Sequence, residues 1–545
     1  MQSTKRLALA ARSFVALALG LCLARASSAQ APQVLRGVVR DSATRQAIPG
    51  VVLILTDAGG RALGRNITGG DGRYAIALVP EIRRMRLLRI GFRPRDVPVP
   101  ADASVELDVS MLSIPTLLSA VNVVDAPTCP HRDDRASAFA LWEQAKAALT
   151  ATVVARETNP PEVIRLHYER RLDDGDQIVA QSVRVDSAST GRPWVAPQSA
   201  AAFVETGFSS DSARSRWFGG PDADVMIDDA FARGYCFHIA APDTSQPRAI
   251  GLGFERSERK RGHVDIEGTV WIDSVSRSLI SVVFHYVGLD RREERVRPGG
   301  RIDFRVMQNG ATMIDRWYLR FPATNPNAAL GSLEARESGG EVAHARWRDG
   351  REWQASLGTL RGHIPGKSPG GTVVRLLDTD YATTADSSGN FTIRNLLPGP
   401  YSIGAINGRL ADLGLVMKPL DAFTAMRDSV VLVSPAVPSA ASYVAGKCGA
   451  DSPKYALLAA RVLTPEGFAG RDAHIVVRGW FDGTLERVVE GDADENGLFF
   501  ACRTPRDIPV QIIAELDGAV LELVLDGVTT DIVAAKMRLI KRRRP

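Results

Sequence analysis

The sequence predicts a mainly β protein: several small β-sandwich modules flanking a larger antiparallel β domain with one helix. Three observations predict it. Over 36–94, apolar runs of about five residues alternate with Gly, Pro and Asp turns, the rhythm of a small antiparallel sandwich. That rhythm returns over 358–435 and, more divergently, over 448–540, and recurrence of one unit argues for a modular chain. Between the copies, a single helical period gives way to a long series of two-residue alternations, the mark of paired strands.

Taken in order, residues 1–30 read as a secretory signal peptide. Lys5, Arg6 and Arg12 precede an apolar stretch over 13–24, and Ser27-Ser28-Ala29 offers small residues for cleavage. The stretch is too short to span a bilayer. Leu21 stands before Cys22 where a lipid-attachment motif wants a small residue, which argues against lipidation. Export is therefore expected, to the periplasm, the outer membrane surface or the medium, with no transmembrane segment in the mature chain. The formal charge of +5 includes four cations in the leader, Lys5, Arg6, Arg12 and Arg25, which leaves +1 for the rest. A near-neutral chain gives no support for nucleic-acid binding. The tail Lys541-Arg542-Arg543-Arg544 reads as a solvated terminus.

The first module spans 31–112. Gly37-Val38-Val39-Arg40-Asp41, Pro49-Gly50-Val51-Val52, Thr68-Gly69-Gly70-Asp71-Gly72-Arg73-Tyr74-Ala75-Ile76 and Gly91-Phe92 follow one another at strand-and-turn spacing. This order resembles the carboxypeptidase regulatory-like domain, a prealbumin-like (transthyretin-like), broadly Ig-like sandwich. The resemblance implies a fold and not a reaction. Residues 113–128 form a linker. Within it, 117–125 is similar to the segment that follows this module in TonB-dependent outer-membrane receptors. The roughly 420 residues that remain, with 6% aromatics overall, do not supply the plug, barrel and aromatic girdles of such a receptor.

Residues 129–355 are the antiparallel β domain with its N-terminal helix. Asp133-Asp134 opens a helix to about Val154, with Phe139, Trp142, Ala145 and Leu149 on one face. Hairpins then follow around Asp173-Asp174-Gly175, Ser274 to Ser278 and Gln308-Asn309-Gly310, the last an Asn-Gly turn that hairpins favour. The run 268–286 looks like the strands of lipoprotein-carrier folds. That likeness implies a periplasmic carrier for a lipid or other apolar ligand, lined by Trp271, Phe284, Phe304 and Trp317.

Residues 356–435 form a second regulatory-like sandwich, carried by Asp386 to Ile393 and Leu397 to Ile403. A Pro/Ala/Ser-rich linker is expected over 436–447. Residues 448–545 form the third, divergent sandwich with the basic tail. Cys129, Cys236, Cys448 and Cys502 remain after the leader, and four cysteines in an exported chain allow three pairings. Cys129–Cys236 and Cys448–Cys502 are expected, because each pair falls inside one module.

Motifs for chemistry are sparse. None of the eight histidines has Glu three residues on, so the zinc site of the peptidases that carry the regulatory module is absent. Gly366-Lys367-Ser368-Pro369-Gly370 fits G-x-S-x-G but precedes a β-run, where a nucleophile elbow needs a helix. Asp492, Asp494 and Asn496 resemble the opening of a calcium loop. Arg503 stands where the twelfth position needs a bidentate Glu, so an acidic hairpin turn is expected. No cofactor, no metal and no catalytic residue is expected. The reading is a non-enzymatic envelope protein with a binding or scaffold role. The sandwich resemblance implies carbohydrate binding, with Trp480, Phe481 and Tyr401 as candidate platforms, and polysaccharide or envelope protein as partner. The carrier and an enzyme of unrecognised type are the alternatives.

Overall fold

The computed structural model describes residues 33–100, 106–114, 134–189, 198–211, 216–258, 260–307, 310, 312–324, 333–365, 370–411, 413, 419–437, 440–449 and 455–541. The chain is mainly β, with small sandwiches before and after a wide antiparallel sheet.

All three sandwiches share one strand plan. In the first, Val34–Asp41 lies between Arg73–Ala77, antiparallel to it, and Val109–Met111, parallel to it. In the second, Gly358–His363 lies between Asn390–Leu396 and Val430–Val433 in the same senses. In the third, Ala456–Leu463 lies between Leu498–Thr504 and Ile532–Arg538. Each opposing sheet has four strands in the same order, extended in the third by Ile540–Lys541. One turn recurs with it. The N–H of Gly72, Gly389 and Gly497 donates to the carbonyl of Gly69, Asp386 and Asp494 in turn. These glycines sit at φ of 72°, 87° and 73°, where a side chain is strained. A Cβ on Gly497 would also lie 2.4 Å from the Val462 carbonyl.

The middle sheet has ten strands, nine in a row from Tyr235–Ile239 through Thr312–Thr324 and Leu333–Arg346 to Glu162–Leu172 and Ile178–Ser189, with Glu352–Gln354 paired to Leu333–Arg346. Both of its faces are covered. The long helix Arg135–Thr158 crosses one face and buries Leu141, Trp142, Ala145 and Leu149 there, close to the expected stripe. Three short helices, at 200–206, 223–227 and 229–234, complete this layer, and Ser199, Asp222 and Asp228 cap them through their side chains. Their length is why a helical period did not reveal them.

The second sandwich covers the other face. Leu166, Tyr168, Val183 and Ala343 of the sheet share one core with Leu360, Phe391, Tyr401 and Ile403. The Asp380 N–H donates to the Val183 carbonyl at 2.9 Å, and Arg427 forks onto both carboxylate oxygens of Glu341. The first sandwich meets the helix instead. Ile90 enters the helix core, Val52 packs with Ala151 and Val154, and the Gly91 N–H donates to Gln144 Oε1 at 2.6 Å.

The segment expected as a linker over 436–447 is corrected. Ala440–Cys448 is a helix whose Val444 is buried with Leu410, Leu457 and Ile532. Alanines and one apolar anchor outweighed the Pro/Ser composition. Cys448 is bonded to Cys502, which ties this helix to the third sandwich. Cys236 is also disulfide-bonded; Cys129, its expected partner, lies outside the described residues.

Candidate functional site: a cleft under the long helix

The last two turns of the long helix do not close fully onto the sheet. Thr152, Ala155 and Arg156 overhang a cleft of about 70 Å³ that opens to solvent. Its floor comes from Glu162–Leu172, Thr312–Thr324 and Leu333–Arg346, through Val163, Arg165, Met313, Ile314, Trp317 and Val342. Met307 and Met313 also line an adjoining hollow with Trp347 and Trp353. The lining is chiefly apolar, and methionine adapts to whatever shape it meets.

Local sequence explains the floor. Gly340 lies beside Trp317, and a Cβ there would come within 3.1 Å of the indole. Glycine therefore lets the ring lie against the strand. Asp303 pairs with Arg316 but Phe304 pairs with Ile314, so Asp315 is the extra residue of a β-bulge. The bulge resets the alternation. Ile314 before it and Trp317 and Leu319 after it all join the core beneath the helix.

Asp315 is the unusual side chain of the floor. It is 91% buried, because its side chain is 9% exposed, and its Oδ2 accepts from Arg305 Nη2 at 2.9 Å. Its Oδ1 is buried with no hydrogen-bond partner. The Arg305 guanidinium lies 4.4 Å from the centre of the Trp353 ring. The other charges at the cleft are engaged. Arg156 forks onto Asp224 at 2.9 and 3.0 Å, and Glu341 is held by Arg427. Burial lowers the Arg165 guanidinium pKa, with Asp186 opposing. Burial, then Arg165, lowers the His167 imidazole as well, again against Asp186. A cleft of this kind can hold a small apolar body.

Of the four aromatics expected to line a carrier cavity, Trp317 reaches the cleft. Phe284 and Phe304 belong to the closed core, and Trp271 is half-buried on a neighbouring strand. Tyr401 is 4% exposed and donates to the Leu397 carbonyl at 2.9 Å. It is core, and it presents no face to a sugar. Trp480 and Phe481 are each 39% exposed. Asp494 Oδ1 accepts the N–H groups of Asn496 and Leu498, and Asp492 pairs with His474 at 2.8 Å. These are turn and ladder roles. Among the described residues, no three His, Cys, Asp or Glu side chains gather as a metal site. The serine of the G-x-S-x-G stretch lies outside the described residues. Asp315, Arg305 and the two methionines were missed. An acid between Ile314 and Trp317, where alternation fails, was the available signal.

No family model matches the chain, and no curated protein matches it. Among solved structures, the shaft pilin SpaA of Lactobacillus rhamnosus GG aligns at 9% identity over 35% of this chain and 100% of its own, with a TM-score of 0.14. The Bacillus anthracis TIE protein aligns at 8% identity over 70% of this chain and 83% of its own, with a TM-score of 0.14. The major pilin subunit of Bacillus cereus aligns at 9% identity over 93% of this chain and 99% of its own, with a TM-score of 0.13. Likenesses at this level carry no weight for function. The sandwich assignment rests on the strand order of the three modules.

Proposed function

We propose that this chain is a non-enzymatic, exported binding protein of the cell envelope whose ligand is a small, largely apolar molecule held in the cleft. Sandwiches of the regulatory-like type buttress the middle sheet, one behind it and one against the helix. The observation that carries this reading is the lining of the cleft. Helix and sheet enclose apolar side chains around open space, where elsewhere the same two layers close on each other. The test is native mass spectrometry of protein purified from its own cells without detergent. A discrete added mass that leaves on denaturation, and is missing from Met313→Trp, is the expected result. The same mass in both proteins, or none in either, would sink the reading.

A second reading keeps the sugar platform. Trp480 and Phe481 are each exposed at the end of a strand of the third sandwich, and an exposed aromatic face suits stacking on a sugar ring. Retardation in polysaccharide-loaded gels that Trp480→Ala abolishes would support it; unchanged mobility in every polysaccharide would remove it.

A further inference from the structure

We infer that a second cleft, between the first sandwich and the long helix, binds a short peptide by its two charged ends, the carboxylate on Arg65 and Arg86 and the amine on Glu143 and Asp228. This site is separate from the cleft under the end of the helix and does not depend on it.

The second cleft measures about 790 Å³ and opens to solvent, within the size range of small-molecule sites. Strand register explains where it opens. On the outer face of the first sandwich, Val52 pairs with Ile67 on one side and Leu88 on the other. This apolar row closes on Ala151 and Val154 of the helix. Two residues along, on the same face, Ile54 pairs with Arg65 and Arg86. There the layers part, and all three residues line the cleft.

The two walls carry opposite charge. On the sandwich wall, Arg65 and Arg86 are exposed, and their strands lie about 10 Å apart on either side of Ile54. Among the described residues neither makes an ion pair or hydrogen bond, although Asp96 stands opposite Arg86 on the next strand. On the helical wall, Glu143, Lys146, Ala147 and Thr150 recur at helical spacing and turn one face to the cleft. Lys146 is taken by Asp229 at 3.1 Å, and Asp224 by Arg156. Asp228 uses one oxygen to accept the Ala230 N–H. Glu143 is half-buried and, among the described residues, has no ion pair or hydrogen bond. The charges left over are two cations on one wall and two acids on the other.

The ligand follows from that division. A plain anion suits the arginines but meets the acids, and a plain cation does the reverse. A molecule with a carboxylate at one end and an ammonium at the other satisfies both walls, and guanidinium forks suit a carboxylate. Ile54, Leu88 and Ile227 take the body between. A peptide with free ends is such a molecule, and each residue extends it by about 3.3–3.6 Å.

The test is calorimetric titration of the full-length protein with alanine peptides of two to five residues, each free, N-acetylated or C-amidated. The best free peptide should bind about tenfold or more tightly than either blocked form, the worth of one contact between charged groups. In the double variant Arg65→Gln, Arg86→Gln, amidation should no longer matter while acetylation still does. In Glu143→Gln, Asp228→Asn the reverse is expected, and Asn keeps the helix cap. Equal affinity for free and blocked peptides, or no binding of any, would overturn the inference. Acetylated peptide binding as tightly as free peptide would mark a plain anion site and overturn it as well. The wild-type comparison stands whether or not the variants fold.

Discussion

The two ends of the long helix meet the same sheet in opposite ways. Near its start, Trp142 stacks on Phe237 with ring centres 4.2 Å apart. In the same core Phe203 stacks on Phe208 and Phe231 on Tyr235, also at 4.2 Å. Phe203, Phe208, Phe231 and Tyr235 are fully buried. Near its end, small and flexible side chains border empty space. One end is packed for stability. The other gives up packing density that a core ordinarily requires. The contrast teaches where to look for function: in the part of a shared core that was left unfilled.

The contrast is sharpest in its stability consequences. Phe231→Ala at the packed end should cost about 3–5 kcal/mol in urea denaturation, the usual loss for a fully buried phenylalanine. A loss under 1 kcal/mol would mean that this end is loose as well. Glu341→Gln breaks the forked contact to Arg427 behind the cleft, and Glu341 is 6% exposed while Arg427 is 36% exposed. A loss of about 2 kcal/mol is expected, with the second sandwich more open to protease. Unchanged stability and cleavage would show that this module is no buttress. Met313→Ala at the open end should cost only about 1 kcal/mol, because the side chain is half-buried beside existing space. A loss matching that of Phe231→Ala would erase the distinction between the ends.

The smallest effect is a pH dependence beside the cleft. The His167 pKa lies below its ordinary value of 6.5, through burial and then Arg165, with Asp186 opposing. The unfolded chain therefore takes up this proton at higher pH than the folded one. The stability contributed by neutral His167 is full above pH 6.5 and falls away as pH drops toward the folded value. His167→Gln should flatten the decline in Tm between about pH 7 and pH 5. An equal decline in both proteins would place the pH sensitivity elsewhere.

The sandwiches were readable because their signals are local. Gly72, Gly389 and Gly497 each mark a turn whose backbone demands them, and the demand shows within five residues of sequence. The hairpins of the middle sheet announced themselves through Asp173-Asp174-Gly175 and the two-residue period. What sequence concealed was tertiary. Tyr401 and Trp480 look alike as exposed-aromatic candidates; a 4% against a 39% exposure separates them, and only packing sets that. Ala440–Cys448 carries linker composition, yet its disulfide and Val444 hold it as a helix. The cleft was hidden for a different reason. Its existence depends on how high the helix end rides above the sheet, and no window of residues encodes that.

The parallel pairing of first and last strands has a mechanical meaning. In each sandwich the chain enters along one strand and leaves along its parallel neighbour, at the opposite end of the module. Tension applied through the chain therefore loads the bonds between those strands in shear, all at once, instead of peeling them one by one. The third sandwich joins them over seven register pairs, from Leu457–Ile532 to Leu463–Arg538. The second does so over four and the first over three. Stretched from its ends, the chain resists most at its third sandwich.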